Sequence, residues 1–202
     1  MNLTIKTLTG SAIKPYLNEL ARLRIAIFRE FPYLYDGDME YEASYLETYL
    51  RSEEAVMVLA IHDKKVVGAS SGMPLMLETN AVKKPFLEAG MEPEKIFYFG
   101  ESLLELPYRG KGIGHIFFDE REKHALNPGR FETTTFCAVH RPETHPLRPP
   151  AYLPLDSFWK KRGYTPTQMT THFQWKDVDE NEESDKLMRF WIKNWKSNTD
   201  EK

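Results

Sequence analysis

The stretch "YRGKGIG", Tyr108 to Gly114, puts glycine at three alternate positions between an arginine and a run in which Ile113, Ile116 and Phe117 begin a helical stripe. Before it stands "IFYFGESLLEL" (96–106), an apolar strand-like run carrying two carboxylates. The glycines therefore sit where a strand turns into a helix. At such a junction the unpaired N–H groups of the first helical turn and the positive end of the helix dipole can hold a phosphate, and glycine lets the backbone come close to it. Arg109 and Lys111 add positive charge. Two familiar phosphate loops do not fit. A P-loop needs Lys and then Ser or Thr after its last glycine, whereas His115 follows Gly114. The dinucleotide fingerprint needs its third glycine three positions after Gly112, and that position is again His115.

Upstream of the loop, Leu3–Thr7 alternates as a half-buried strand does. Ile13, Leu17, Leu20, Leu23 and Ile27 then step by three or four, which predicts an amphipathic helix to about Arg29, closed by Pro32. A second helix is expected over Tyr41–Arg51. "AVMVLAIHDKKVVGASSGMPL" (55–75) reads as a hairpin turning at His62–Lys65. A short helix in a connection, read as an insertion, is expected within Glu78–Glu94, with Pro85 near its start. Downstream come a helix, the strand "TTTFCAV", the proline-rich loop "HRPETHPLRPPAYLP" (140–154), and a short helix in "DSFWKKRGY" with Asp156 as N-cap and Gly163 as stop. Two late strands, "TTHFQWKDV" and "KLMRFWIKN", flank the acidic turn "DENEES". The order predicts an α/β fold, one domain over residues 1–202, with a sheet partly antiparallel and partly parallel.

Composition removes several classes of function. With 27 basic and 30 acidic residues, a net charge of -3 and a pI near 6.1, the chain lacks the broad positive field of a nucleic-acid binder. No apolar run approaches a membrane span, so no membrane partner is expected. A single cysteine excludes an internal disulfide, and "MNLTIKTLTG" lacks a secretory plan, so a cytoplasmic setting is expected. His140 and His145 stand five apart with no carboxylate cluster beside them, and no metal site is expected.

The sequence resembles the GNAT superfamily of acetyl-CoA-dependent N-acetyltransferases. That family's signature is Arg or Gln, two residues, Gly, one residue, then Gly or Ala, after a strand and opening a helix; Arg109, Gly112 and Gly114 match it. "FWKKRGY" (158–164) is similar to the family's late segment, and the order of elements extends the resemblance over nearly the whole chain. It implies a GNAT-like mixed sheet flanked by helices, with acetyl-CoA as co-substrate and no metal. It implies that the N–H groups of Gly110, Lys111, Gly112, Ile113 and Gly114 bind the pyrophosphate. Main-chain groups of Leu103, Leu104, Glu105 and Leu106 would pair with the pantetheine arm. The Lys111 side chain is left between a phosphate contact and solvent.

Amine acetylation needs a proton acceptor, because an ammonium has no lone pair. Glu101 and Glu105, four apart on one strand, share a face unless a bulge intervenes. Glu101 is the expected base, since relatives in the resembled family carry a carboxylate on this strand; a structural salt bridge is the alternative. The family's late segment often holds a tyrosine that protonates the leaving thiolate, and here Trp159 stands there. Indole is too weak an acid for that task. Tyr164, Tyr152, Cys137, water or no dedicated donor remain open, with Cys137 expected as a small buried hydrophobe. The loop "REFPYLYDGDMEY" (29–41) would line the acceptor site, with Tyr33, Tyr35 and Asp36 suited to a cationic amine. Solvated acids on a packed surface loop are the alternative. The expected partner is a small amine or a peptide acceptor, with homodimerisation left open. Two other readings remain: a coenzyme A-binding module without turnover, and a transferase acting on a protein N-terminus or lysine.

Overall fold

A computed structural model describes residues 3–196. Seven strands, β1 (Leu3–Thr9), β2 (Val56–His62), β3 (Lys65–Pro74), β4 (Ile96–Leu104), β5 (Thr133–Val139), β6 (Thr165–Trp175) and β7 (Ser184–Asn194), form one sheet in the order β1-β2-β3-β4-β5-β7-β6. All neighbours are antiparallel except β4 and β5. The helices are α1 (Leu17–Phe28), α2 (Met39–Leu46), α3 (Asn80–Glu88), α4 (Ile113–Leu126) and α5 (Asp156–Lys161).

The alternation of side chains along each strand sorts the core into two layers. On one face Phe97, Phe99 and Phe136 pack with Ile113, Phe117 and Phe118 of α4. On the other, Met57, Leu59, Ala69 and Leu103 pack with Leu20 and Leu23 of α1 and Leu46 of α2. Further along that second face Val82 and Phe86 of α3 cover Tyr98, Cys137, Met188 and Phe190. The mixed sheet and flanking helices are those the element order predicts. Among the described residues no helix is long and apolar enough to cross a membrane.

Local chemistry shifts several boundaries. The Ile13–Tyr16 part of the first predicted helix belongs to a tighter 3-10 turn (Gly10–Tyr16) containing Pro15, and the α-helix begins only at Leu17. The second helix starts earlier than Tyr41, because the Asp38 carboxylate caps it by accepting from the amides of Glu40 and Tyr41 at 2.9 and 3.0 Å. Its final turn, Glu47–Arg51, is again 3-10. Pro85 lies well inside α3 rather than near the start. Asp156 is the first residue of α5 and not its cap, the cap position being Leu155. The β2–β3 turn lies at Asp63 and Lys64, both at positive φ, as a two-residue hairpin requires.

One irregularity decides the rest. Ser70 pairs with Ser102, but Gly72 pairs with Phe99, so Gly100 and Glu101 together face Ser71 in a bulge of β4. Tyr98 and Glu101, three apart, consequently point to the same face. Glu101 is the last residue of the bulge, so the alternation from Glu101 to Glu105 is intact, and both reach arginines of α1. From α4 on the opposite face, the fully buried Arg121 donates to Ser71 O at 3.2 Å, Glu101 O at 3.1 Å and Ser102 Oγ at 2.9 Å. Its guanidinium lies 4.3 Å and 4.8 Å from the ring centroids of Phe99 and Phe118. A buried carbonyl stripped of its donor costs about 1–3 kcal/mol, so Arg121→Met should lower the unfolding free energy by about 2–4 kcal/mol. Urea denaturation measures this; a loss below about 0.5 kcal/mol, the size of an ordinary surface change, would show that the bulge stands without Arg121.

Candidate active site

β4 and β5 pair only from Ile96/Thr133 to Tyr98/Thr135. Beyond that, β5 continues along β7 while β4 passes through its bulge and stays on β3. A gap opens between the two parallel strands. The Glu105 amide donates to Val67 O at 2.9 Å, so by antiparallel alternation Ser102 and Leu104 present their main-chain groups to the gap, whereas Leu103 and Glu105 turn theirs to β3. Leu106 belongs to the 3-10 turn that follows. Of the four residues expected along the pantetheine arm, Leu104 alone therefore offers main chain from the strand to the gap.

The glycine turn closes one end of this gap. Gly110 and Gly112 have φ of +73° and +83°, left-handed values that a side chain disfavours, and no atom lies within 4 Å of where a Cβ would stand on either. Glycine is required there by backbone conformation, and the outer face of the turn is open. Gly114 is already helical. The first helical bonds run from the His115 and Ile116 amides to Gly112 O, so the Ile113 and Gly114 amides at the start of α4 have no helical acceptor. Arg109 is turned away from this cradle. Its Nε donates to Leu104 O at 2.8 Å, and its two terminal nitrogens donate to Glu30 at 2.8 and 3.0 Å. Lys111 Nζ lies 5.7 Å from the Tyr108 ring centroid.

The floor of the gap is built from strands and from α1–α3. Glu101 is buried, and its Oε2 accepts from Arg24 Nη1 at 2.5 Å. Arg24 Nε is bound by Glu42, and the guanidinium lies 4.3 Å from the Tyr45 ring centroid. Burial alone would lower the Arg24 pKa, but Glu101, Tyr45 and Glu42 outweigh it and hold the pKa well above the usual value. Glu101 is thus brought to the site, but as one arm of a carboxylate–arginine–carboxylate chain, the salt-bridge alternative of the sequence. Glu105 pairs with Lys65 at 2.8 Å at the strand's end.

Tyr98 OH and Cys137 Sγ, 3.1 Å apart, lie where the two strands separate. Burial pushes the Cys137 thiol up to about 12, so it stays protonated at neutral pH. Partly buried Glu78, just after the 3-10 turn Leu75–Leu77 that extends β3, is pushed up to about 7, chiefly by burial, with Glu101 adding and the Thr79 amide and Lys83 opposing.

The three acceptor-loop residues have different fates. Tyr33 packs on Phe28 and Trp175, and its pKa is raised first by burial, then by the neighbouring Cys137 and Glu101. Tyr35 lies beside Glu42, and its pKa too is raised first by burial. Asp36 is not brought in. Its carboxylate is paired with Lys176 at 2.7 Å and Arg29 at 2.8 Å, and these bonds lower its pKa. Arg141 holds the loop by donating to Pro32 O and Tyr33 O, both at 2.8 Å, and pairs with Asp177.

Trp159 packs between Phe136 and Trp191, with centroids 5.1 and 5.0 Å away. Tyr164 is fully buried on the α4 face, bonded to Thr134 and Glu122, and is a core residue. Tyr152 packs edge-on against Phe31 of the acceptor loop. A surface concavity lined by Thr4, Lys6, Tyr16 and Lys64 lies at the outer edge of β1 and contains none of these groups.

Sequence reasoning missed Arg24, Glu42, Tyr98 and Glu78. For Arg24 a signal existed, since it stands four residues after Leu20 and four before Phe28, inside the apolar stripe of α1. Arg24→Met would leave Glu42 and Glu101 buried together without a cation, a loss of about 3–5 kcal/mol at pH 7. Two such carboxyls bind protons more tightly in the folded chain than in the unfolded one. The deficit should therefore shrink as pH falls from 7 toward 5 and grow as it rises. Urea melts of variant and wild type across that range check it; a deficit independent of pH would contradict the buried charge.

No family model and no curated protein sequence matches the chain. Solved structures do match it along its length. An N-acetyltransferase from Staphylococcus aureus Mu50 superposes with a TM-score of 0.61 at 14% identity, covering 97% of this chain and 100% of its own. A ribosomal-protein-alanine N-acetyltransferase from Brucella melitensis gives 0.61 at 14%, covering 95% and 99%. An acetyltransferase of the GNAT family from Staphylococcus aureus Mu50 gives 0.59 at 17%, covering 96% and 100%. With its seven-stranded sheet parting between β4 and β5 beside the glycine turn, the chain has the fold of these acetyltransferases, the GNAT-family structure among them.

Proposed function

We propose that the chain is an N-acetyltransferase that moves an acetyl group from acetyl-CoA to a primary amine while both are bound. The observation that carries this reading is the parting of β4 and β5 past Tyr98 and Thr135, directly before a glycine turn that opens α4. The residues fit the co-substrate. Gly110 and Gly112 leave open the space a Cβ would fill, the first amides of α4 lack helical partners, and the β4 main chain faces the gap at Ser102 and Leu104. In this reading the amides of 110–114 hold the pyrophosphate and the β4 edge holds the pantetheine arm. Bound acetyl-CoA supplies the activated acetyl thioester.

The chain's own residues orient the amine and take its proton. Tyr33, Tyr45 and Tyr98 give the floor aromatic faces, and Glu42 and Glu101 around Arg24, with Glu78 beside them and outside ion-pair distance of Lys83, give it negative charge, which favours an ammonium over an anion. Glu101 acts here as the fixed charge that keeps Arg24 in place and adds to that field. Supporting the acetyltransferase reading is the shared fold; the acceptor itself is a matter for a screen of small amines and peptide amines. Thiol release from acetyl-CoA with peptide amines alone would move the acceptor to a protein N-terminus or lysine. Coenzyme A binding without thiol release from any amine would make the chain a binding module.

The phosphate cradle has its own test. Gly112→Val and Gly129→Val both force a side chain into a left-handed backbone with no crowding, at φ of +83° and +73°. They should lose similar stability, yet only Gly112→Val should weaken coenzyme A binding, by tenfold or more, about 1.4 kcal/mol. Calorimetry decides; equal affinities for the two variants would remove the phosphate from this turn.

A further inference from the structure

We propose that Glu78, and not Glu101, accepts the proton of the acceptor amine; the proposal rests on the acetyl-transfer reading above. A proton acceptor at the floor of the gap needs a carboxylate that no paired cation holds in its ionised form. Glu101 and Glu42 are bonded to Arg24, Glu105 to Lys65, and Asp36 to Lys176 and Arg29. Glu78 differs from all of them. Its Oε2 accepts from the Thr79 amide at 3.2 Å, and among the described residues no lysine or arginine stands within ion-pair distance of it. Lys83, the nearest cation to act on it, has its ammonium engaged with Met76 O at 3.3 Å.

Position supports the assignment. The turn before Glu78 is anchored by Leu75, which packs with Tyr98 of β4 and Cys137 of β5, the residues at which the two strands part. Glu78 stands near enough to Tyr98, Cys137, Tyr45 and Tyr49 for its charge to raise their pKa values, and Tyr45 and Tyr49 feel Glu101 as well. The groups facing it are therefore Tyr98 and Glu101 from β4, Cys137 from β5, Tyr45 from α2 with Tyr49 just after it, and Lys83 from α3. Burial raises all three tyrosines and the thiol, which leaves them neutral at pH 7. A carboxyl titrating near neutrality in that setting is suited to general-base work, and its neighbour Glu101 remains the fixed charge.

The acceptor ammonium gives one proton to Glu78, and the freed lone pair forms the N–C bond to the acetyl carbon. The C–S bond of the thioester breaks, and the sulfur leaves with its electron pair. The nitrogen's second proton is matched by one taken up at the thiolate, and Glu78 passes its proton to water. One proton is released per turnover.

The test uses Glu78→Gln and Glu101→Gln in the full chain with an acceptor on which wild type releases thiol. Glu78→Gln should turn over about 10²–10³-fold more slowly at pH 7. Its coenzyme A affinity should stay within twofold of wild type, and the wild-type rise in rate through pH 7 should be replaced by a slow climb toward alkaline pH. Retention of the wild-type rate and pH profile by Glu78→Gln overturns the assignment while leaving acetyl transfer standing. Failure of wild type to release thiol with any amine overturns the acetyl-transfer reading and the base with it. A second readout needs no acceptor: the protonated carboxyl band in infrared difference spectra between wild type and Glu78→Gln should have its midpoint near pH 7. A midpoint at about 4, where ordinary glutamates titrate, overturns the proposal.

Discussion

Arg121 crosses from α4 to the middle of the sheet and donates to the carbonyls on both sides of the β4 bulge, and the geometry of the site follows from that contact. A bulge leaves backbone groups without ladder partners, and inside a core those groups must find donors. A guanidinium supplies several at once in a fixed fork. Burial lowers the Arg121 pKa to about 10, still high enough to keep the charge at neutral pH, and the faces of Phe99 and Phe118 offset part of the lost hydration. With the bulge held, Glu101 shares a face with Tyr98 instead of with Phe99. Without it, the carboxylate would point into the aromatic layer under α4. The same irregularity accompanies the divergence of β4 from β5.

The acceptor loop is held from two sides with unequal strength. On the inner side Arg141 and Asp177, with side chains only 10% and 2% exposed, tie Pro32 and Tyr33 through several charge-assisted bonds, and Trp175 adds its indole N–H to Tyr33 O. On the outer side the bidentate pair of Arg109 and Glu30 is 38% and 46% exposed. An exposed pair of this kind contributes about 0–1 kcal/mol, while a buried network resists opening far more. The loop is therefore fixed at the Tyr33 end and lightly latched to the glycine turn at the Glu30 end. That latch also bears on the gap, since Arg109 holds Leu104 O at its edge.

How far the sequence could be read depended on the range of the interactions involved. The glycine turn was legible because its requirement is local: positive φ at 110 and 112 asks for glycine whatever surrounds it. The β2–β3 and β6–β7 hairpins were legible for the same reason, turn chemistry between alternating runs. The start of α2 was misplaced although Asp38 is a good cap, because the polar run around it hid the boundary. The bulge was foreseen only as a way the parity of Glu101 and Glu105 could fail. Its position is set by Arg121, about twenty residues away, and a strand's own pattern does not reveal a one-residue slip.

The charges at the floor were the least legible, and the reason is physical. Glu101 and Glu78 are the same residue type on adjoining segments of one sheet face, yet one meets an arginine from 77 positions away in the chain, while for the other burial and the like charge of Glu101 outweigh the Thr79 amide and the more distant Lys83. A carboxylate's chemistry follows from its partner and its solvent access, neither of which is written in the strand that carries it. The apolar stripe of α1 does contain the missing half of the argument. Arg24 cannot be buried there without an acid to meet it, and the bulge in β4 delivers Glu101 to that place. Once Glu101 is committed to Arg24, its charge bears on the one carboxyl at the floor that has no cation beside it, and helps hold a proton on Glu78 up to neutral pH. In this arrangement the ion pair and the titrating group depend on each other: the first is the source of the field that tunes the second.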